Sequence, residues 1–185
     1  MSRDNKTIKN SSGLILPGVG AFGTAVKTLH HLNLFDEIKS FVKTGKPVLG
    51  ICLGMQLFMS KSYEYGENIG LNLIDGTVEK IKIDTDFQKF KLPHIGWREV
   101  NEFNSPNNSS AYFKSIFNKK FYFVHSYESK PNDKKYIFGN CKYFNTQINA
   151  IIQKENIIGC QFHPEKSGKN GLKFIESFIN FAKKI

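Results

Sequence analysis

The sequence is poor in cysteine, in arginine and in long apolar runs, and each shortage excludes a class of protein. Three cysteines among 185 residues are an odd number, which does not fit the paired framework of a small secreted disulfide protein. No apolar run approaches the roughly 20 residues that a membrane helix needs, and the first residues lack a charged-then-apolar leader. We therefore expect a protein of the reducing cytoplasm with no membrane contact.

Arginine is scarce although the chain is strongly basic. The formal net charge is +10, but of the 26 basic residues only Arg3 and Arg98 are arginines. Proteins that read bases or clamp phosphates favour the forked guanidinium group, and here the lysines are scattered along the chain instead of forming a block. We expect no nucleic-acid partner. A basic face that steers an anionic partner or a phosphate-bearing substrate stays open as an alternative.

The hydrophobic pattern predicts one α/β domain over residues 1–185, since 40% of the residues are hydrophobic and no repeat or long linker divides the chain. Apolar residues at helical spacing alternate with short apolar runs that predict strands. The predicted helical segments are Thr24–Lys43 and a C-terminal amphipathic helix marked by Leu172, Ile175, Phe178, Ile179 and Ala182. The predicted strands are Leu14–Leu16, Lys46–Leu49, Gly76–Ile83, Phe121–Ser126, Tyr136–Phe144 and Gln147–Gln153; the last two form an antiparallel hairpin around Asn145-Thr146, and Asn101–Asn108 is a polar loop.

A glycine-flanked cysteine is the most informative local feature. Gly50-Ile51-Cys52-Leu53-Gly54 follows the apolar run Lys46–Leu49 and precedes Met55–Met59, which we interpret as a helix. Such a strand-to-helix turn strains its central residue and requires neighbours without a Cβ. The sulfur would stand at a helix N-terminus, where the thiolate is favoured and can attack a carbonyl carbon. By itself the pattern fits a buried packing cysteine equally well.

A His-Pro-Glu sequence supplies candidates for a base and its partner. Gly159–Glu165 consists of an apolar strand that ends in His163-Pro164-Glu165. Residues two apart in extended chain face the same way. His163 could therefore take a proton from Cys52 while Glu165 holds the imidazole in one tautomer. Alone, His163 would be interpreted as a surface or core histidine.

A glycine-rich loop follows the first predicted strand. Pro17 ends the strand, and Gly18 and Gly20 allow the loop backbone to turn its amides outward. These amides could form an oxyanion cradle. An ordinary strand-to-helix turn is the simpler interpretation of this loop taken alone.

Together, five motifs resemble the class I, Cys-His-Glu glutamine amidotransferases, and among them the glutaminase subunit of imidazole glycerol phosphate synthase. The resemblance extends from about Ser2 to the C-terminus, with the motifs in the family's order. The motifs are PGVGAFG, GKPVLGICLGMQLF, PHIGW at Pro93–Trp97, FYFVHSY at Phe121–Tyr127 and GCQFHPEKSG at Gly159–Gly168.

The resemblance implies a class I glutamine amidotransferase-like, flavodoxin-like sheet flanked by helices, with an antiparallel extension. It implies that Cys52 is the nucleophile, His163 the base and Glu165 its partner. The oxyanion hole would consist of Gly18, Val19 and the amide of Leu53, and glutamine would be held by Gln56, His125, Ser126 and Tyr127. Cys141 and Cys160 are interpreted as packing thiols.

The resemblance also implies a partner. Ammonia released from glutamine would pass to a (β/α)8-barrel cyclase, which forms imidazole glycerol phosphate and aminoimidazole carboxamide ribotide in histidine biosynthesis. We expect Trp97, Tyr122 and Lys166 to lie at the docking face of this heterodimer. No cofactor and no metal are expected.

Two departures from the family pattern stand out. The family's initial apolar strand, glycine-containing loop and first helix precede the segment that matches Ser2-Arg3-Asp4, so the domain is expected to be N-terminally truncated. Arg98 stands where relatives more often carry Asn. Three alternatives stay open: a paralogue that supplies ammonia for amidation of a surface-polysaccharide sugar, a free-standing cysteine hydrolase, and an inactive truncated remnant.

Overall fold

Two sheets and the helices around them make up the computed structural model, which describes residues 5–83, 91–103 and 113–184. In these ranges the helices are α1 (Asn5–Asn10), α2 (Phe22–His31), α3 (Phe35–Lys43), α4 (Leu53–Gln56) and α5 (Gly168–Ala182). The strands are β1 (Leu14–Gly18), β2 (Val48–Cys52), β3 (Met59–Ser62), β4 (Asn68–Ile69), β5 (Ile74–Lys80), β6 (His94–Glu102), β7 (Lys119–His125), β8 (Tyr127–Pro131), β9 (Ile137–Tyr143), β10 (Thr146–Lys154) and β11 (Ile157–Cys160).

The larger sheet is mixed, with the strand order β1-β2-β11-β10-β9-β6-β7. Strands β1, β2 and β11 run parallel, whereas all further pairs in this sheet are antiparallel. A second sheet has the order β4-β3-β5-β8. The predicted α/β architecture with an antiparallel extension is confirmed.

Both faces of the larger sheet are buried at its central strands β2 and β11, which explains the continuous apolar runs there. Every residue of β2 is buried. Val48 packs in one hydrophobic cluster with α2 and α3, and its neighbour Leu49 packs in a second cluster with the aromatic residues of α5. Strand β1 forms one edge of the sheet and pairs only with β2 among the described residues.

The hairpin of β9 and β10 is confirmed, with a small shift of its turn. Strand β10 begins at Thr146, which pairs with Tyr143. Phe144 takes the left-handed conformation that a tight turn requires, with φ of 53°. The turn therefore lies at Phe144-Asn145, one residue before the predicted position.

Two predicted helices differ from the structure. Thr24–Lys43 is divided into α2 and α3, because Asn33 adopts a left-handed conformation with φ of 54° that no continuous α-helix accommodates. The predicted helix Met55–Met59 is wrong, since α4 is one turn that ends at Gln56 and Met59 begins β3. Met55 and Met59 are wholly buried in one hydrophobic cluster but lie on two different elements, so their apolar character does not indicate a continuous helix.

Two further predictions fall partly outside the described residues. Only residues 101–103 of the predicted loop Asn101–Asn108 are described, and Asn101 and Glu102 belong to β6. Ser2-Arg3-Asp4 lies outside the described ranges. Within those ranges, no helix is long and apolar enough to cross a membrane.

Candidate active site

Cys52 occupies a strained turn between β2 and α4. Its backbone has φ of 52° and ψ of −107°, a conformation that residues other than glycine rarely adopt outside functional turns. A Cβ on Gly50 would lie 2.6 Å from the amide nitrogen of Met55, and a Cβ on Gly54 would collide with the carbonyl oxygen of Leu16. The predicted strand-to-helix elbow with obligatory flanking glycines is confirmed.

The thiol at this turn is not the ready thiolate that the sequence suggested. Burial raises the pKa of Cys52 to about 11, and the charge of Glu165 acts in the same direction. The backbone amide of Leu53, the side-chain amide of Gln161 and the charge of Lys166 lower the pKa, but together they are outweighed. Because α4 is one turn long, it supplies too little positive potential to overcome the cost of burying a thiolate. A nearby base is therefore needed to activate the sulfur.

His163 and Glu165 form the predicted pair, but the chain between them has a different backbone conformation from the predicted one. Nδ1 of His163 lies 2.7 Å from Oε1 of Glu165. The strand β11 has already ended at Cys160, and the two residues are brought together by a 3-10 turn, Pro164–Lys166. The hydroxyl of Ser167 donates to the carbonyl oxygen of His163 at 2.6 Å and so closes the turn. The extended chain predicted through this motif is wrong, since Pro164 begins a turn.

A single open cavity brings the cysteine and the histidine together. Its volume is about 390 Å³, enough for an amino acid. Cys52 and His163 are 7% and 2% exposed, so both side chains meet solvent almost only through this opening. The residues that line the cavity are Val19, Gly20, Cys52, Leu53, Gln56, Glu64, Tyr65, Pro93, Val124, His125, Ser126, Tyr127, His163 and Lys166.

Of the three predicted oxyanion residues, Val19 and Leu53 line the cavity, whereas Gly18 lies outside its lining. Gly18 ends β1 directly beside Cys52 in the parallel register, and a Cβ at Gly18 would lie 3.0 Å from the Cβ of Leu53. Val19 is 81% exposed, and Gly20 has φ of 98°. The loop after β1 is thus open to solvent where Val19 and Gly20 line the cavity.

The four predicted glutamine-binding residues also line the cavity. Gln56 donates through Nε2 to the carbonyl oxygen of Tyr127 at 2.9 Å, which joins α4 to the start of β8. Nδ1 of His125 contacts the same carbonyl oxygen at 2.8 Å. Burial lowers the pKa of His125 to about 4, so this imidazole is neutral at physiological pH.

The three predicted docking residues form one cluster at the surface. The rings of Trp97 and Tyr122 meet edge to face at 6.1 Å between centroids. Nζ of Lys166 lies 6.0 Å from the centre of the Tyr122 ring. Trp97 is 47% exposed, and Lys166 is exposed at the cavity mouth.

Two residues of the site carry roles that sequence reasoning missed. Glu64 lies between β3 and β4, and its Oε2 accepts from the backbone amide of Phe22 at 2.6 Å. Glu64 stands in no regular pattern, so only the fold shows that it faces the cavity. Gln161 lies in the motif GCQFHPEKSG, and its Nε2 lies 3.6 Å from Sγ of Cys52.

Within the described ranges, no group of three or more His, Cys, Asp or Glu is arranged to hold a metal.

Comparison with known families agrees with this geometry. Residues 2–181 match the family described as glutamine amidotransferase class-I. A crystal structure of a glutamine amidotransferase superimposes with a TM-score of 0.71 at 15% identity, covering 98% of this chain and 85% of that one. The structure of PurLQS from Thermotoga maritima gives a TM-score of 0.65 at 18% identity, covering 93% and 80%. The chain belongs to the class-I glutamine amidotransferase family.

Curated relatives define its place in that family. The imidazole glycerol phosphate synthase subunit HisH 1 of Legionella pneumophila (strain Lens) is 45% identical over 93% of this chain and 82% of its own length. The HisH subunit of Pelagibacter ubique is 45% identical over 97% and 85%, and that of Aquifex aeolicus is 39% identical over 100% and 85%. Within the family, the chain is a glutaminase subunit of the imidazole glycerol phosphate synthase type.

Proposed function

We propose that Cys52, His163 and Glu165 hydrolyse the side-chain amide of glutamine. The observation that carries this assignment is the cavity shared by Cys52 and His163, with Glu165 bound to the far nitrogen of the imidazole at 2.7 Å. Because Nδ1 is held by the carboxylate, Nε2 is the nitrogen that takes the thiol proton. The raised pKa of Cys52 makes this proton transfer a necessary part of the first step.

The reaction proceeds through a thioester. The sulfur of Cys52 attacks the amide carbon, and the resulting oxyanion accepts hydrogen bonds from backbone amides at Val19 and Leu53. His163 returns its proton to the leaving nitrogen, the carbon–nitrogen bond breaks and ammonia departs. Water activated by His163 then attacks the thioester carbon, which releases glutamate and regenerates the thiol.

Recognition of the amino acid is assigned to polar groups of the cavity lining. Glu64 is the sole carboxylate among the described residues that line it, so Glu64 is the group that binds the α-ammonium ion of glutamine. The segment His125-Ser126-Tyr127 holds the α-carboxylate end. Gln56 uses Nε2 for protein contacts, which leaves its carbonyl oxygen to accept from the substrate amide.

The ammonia is delivered to a (β/α)8-barrel cyclase that forms imidazole glycerol phosphate and aminoimidazole carboxamide ribotide in the cytoplasm. Support comes from the surface cluster of Trp97, Tyr122 and Lys166, of which Lys166 lines the cavity, because a partner that captures ammonia must cover this opening. Aromatic residues beside a cation are typical interface anchors. Titration calorimetry of Lys166→Ala against the cyclase should show weaker binding, and an unchanged Kd would remove Lys166 from the interface.

The direct test separates ammonia release from ammonia use. In the complex with the cyclase, Cys52→Ala should abolish synthesis with glutamine while synthesis with added ammonium salt continues at the wild-type rate. Cys141→Ala serves as a matched control, because Cys141 is buried in β9 away from the cavity. Glutamine-dependent synthesis by purified Cys52→Ala complex would refute the assignment.

A further inference from the structure

A buried chain of hydrogen bonds connects the backbone of Tyr127 to the sulfur of Cys52. Nε2 of Gln56 donates to the carbonyl oxygen of Tyr127 at 2.9 Å and to Oε1 of Gln161 at 3.1 Å. Nε2 of Gln161 lies 3.6 Å from Sγ of Cys52. Gln161 is wholly buried and Gln56 is 5% exposed, so the hydrogen bond between the two amides is largely shielded from water.

The carbonyl oxygen of Tyr127 determines which way both amides point. A backbone carbonyl can only accept, so Gln56 must present its NH2 group to it. The second hydrogen of that NH2 group then requires an acceptor, which is Oε1 of Gln161. Gln161 consequently presents its own NH2 group to Cys52. The reverse orientation of either amide would place two oxygens or two NH2 groups against each other.

The sheet register brings Gln161 to this place. Strand β11 runs parallel to β2, with Cys160 opposite Ile51. The residues that follow this pair, Gln161 and Cys52, therefore lie side by side. The backbone amide of Gln161 donates to the carbonyl oxygen of Ala150 at 2.9 Å, which holds the residue in line with β10. The side chain of Gln161 is therefore fixed at both its backbone and its amide end.

We propose that Gln161 donates a hydrogen bond to the Cys52 thiolate and that Gln56 is the positioning residue that orients it. This inference rests on the proposed role of Cys52 as the nucleophile. A donor that cannot turn its oxygen toward the sulfur stabilises the thiolate more than the thiol, since the thiol has no negative charge to accept the bond. Gln161 thus stabilises the state that forms when His163 has taken the proton.

The other groups around the sulfur act in both directions. The charge of Glu165 opposes ionisation of Cys52, whereas the charge of Lys166 and the backbone amide of Leu53 favour it. Leu53 and Gln161 supply the two hydrogen bonds to the sulfur that favour ionisation. Of these two donors, only that of Gln161 can be removed by substitution.

Alkylation of Cys52 by iodoacetamide tests the donor without requiring glutamine turnover. Gln161→Met keeps the length of the side chain and removes its N–H groups. We expect about tenfold less thiolate at any pH below the thiol pKa, and an alkylation rate lowered by about threefold or more, because a more basic thiolate is somewhat more nucleophilic. The rate is followed from about pH 6 to 9, and peptide mass spectrometry assigns it to Cys52.

Gln153→Met is the matched control. Gln153 is also a buried glutamine, 3% exposed. It lies three residues after Ala150 on β10 and outside the cavity lining. Its substitution should leave the alkylation of Cys52 unchanged. In the complex with the cyclase, Gln161→Met should lower kcat for glutamine while KM stays near the wild-type value, and synthesis from added ammonium should be unaffected.

A second variant keeps the test decisive where Gln161→Met does not fold. Gln161→Glu still accepts from Gln56 but turns a carboxylate oxygen toward the sulfur, so Cys52 should alkylate even more slowly. Wild-type alkylation rates in a folded Gln161→Met or Gln161→Glu protein would overturn the inference. Slower alkylation in a chain whose wild type shows no glutaminase activity with its cyclase would support the role of Gln161 and refute the proposed function.

Discussion

The parallel and the antiparallel parts of the larger sheet contain the same chemical groups and use them differently. Cys52 at the end of β2 and His163, three residues after the end of β11, line the cavity. In the antiparallel part, Cys141 on β9 and His94 on β6 are both wholly buried. In the proposed mechanism only the thiol and the imidazole of the first pair react, and the carboxyl ends of parallel strands are the usual place for such a site.

The backbone shows the same division. Cys52 is held in a left-handed conformation with φ of 52°, whereas Cys141 lies in a regular ladder opposite Ile148 and Val100. Strain at Cys52 is maintained by Gly50 and Gly54, whose missing side chains allow close backbone approach. Strain persists where the surrounding fold enforces it and is concentrated at functional sites.

Among the changes considered next, removal of the Glu165 carboxylate behind the imidazole should have the largest effect on catalysis. Glu165→Gln should lower kcat for glutamine by about 10²- to 10⁴-fold, because Nδ1 of His163 would lose the charge that orients the ring and stabilises its protonated form. Glu176→Gln, an exchange in α5 outside the cavity lining, should leave kcat unchanged. Steady-state glutaminase assays of both complexes measure this, and comparable kcat values would break the proposed pairing.

A smaller effect is expected from replacing Glu64, the carboxylate that we propose binds the α-ammonium ion of glutamine. Glu64→Gln should raise KM for glutamine by about tenfold or more while kcat changes less, since one charge-assisted contact is lost. Glu67→Gln is the control, because Glu67 forms only a surface ion pair with Lys61 at 3.5 Å. Equal KM values for Glu64→Gln and wild type would show that another group binds the α-ammonium ion.

The last expected effect lies in the antiparallel part of the sheet and concerns stability instead of catalysis. Burial lowers the pKa of His94 to about 3 and that of His125 to about 4, from an ordinary value of 6.5. Both imidazoles are neutral in the folded chain and take up protons on unfolding, so the stability that is present above pH 6.5 is lost as the pH falls toward 4. Between pH 7.5 and 5 the free energy of unfolding should drop by about 2 to 4 kcal/mol.

Urea unfolding across this pH range measures that loss. His94→Phe removes one titrating group but keeps a ring against Phe123 and Tyr143, whose ring centroids lie 5.0 and 4.0 Å from that of His94. It should reduce the slope of stability against pH by about half. A slope equal to that of the wild type would mean that His94 does not contribute to the acid sensitivity.

Local sequence signals predicted the elbow and the antiparallel hairpin, because both depend on residues that are neighbours along the chain. Gly50 and Gly54 mark the turn at Cys52, and the apolar alternation of β9 and β10 marks the hairpin. Contacts between residues that are close in sequence can be predicted without knowledge of the fold.

Contacts over long sequence separation could not be predicted in this way. The bond of Gln161 to Cys52 depends on the register of β11 against β2, 109 residues apart. Glu64 faces the cavity only because β3 and β4 place its turn beside Phe22, 42 residues away. The pKa of the Cys52 thiol likewise depends on its burial by the whole fold. The prediction of a thiolate considered only the local helix dipole and not this burial.

Trapping of the covalent intermediate tests the division between the two parts of the sheet most directly. The wild-type complex is mixed with glutamine and the nucleotide ligand of the cyclase, quenched in acid during turnover and analysed by peptide mass spectrometry. A glutamyl group should be found on the peptide that contains Cys52, be absent from the Cys52→Ala complex, and never appear on the peptide that contains Cys141. Full turnover of glutamine with no glutamyl group on Cys52, or with the group on another cysteine, would contradict the proposed mechanism.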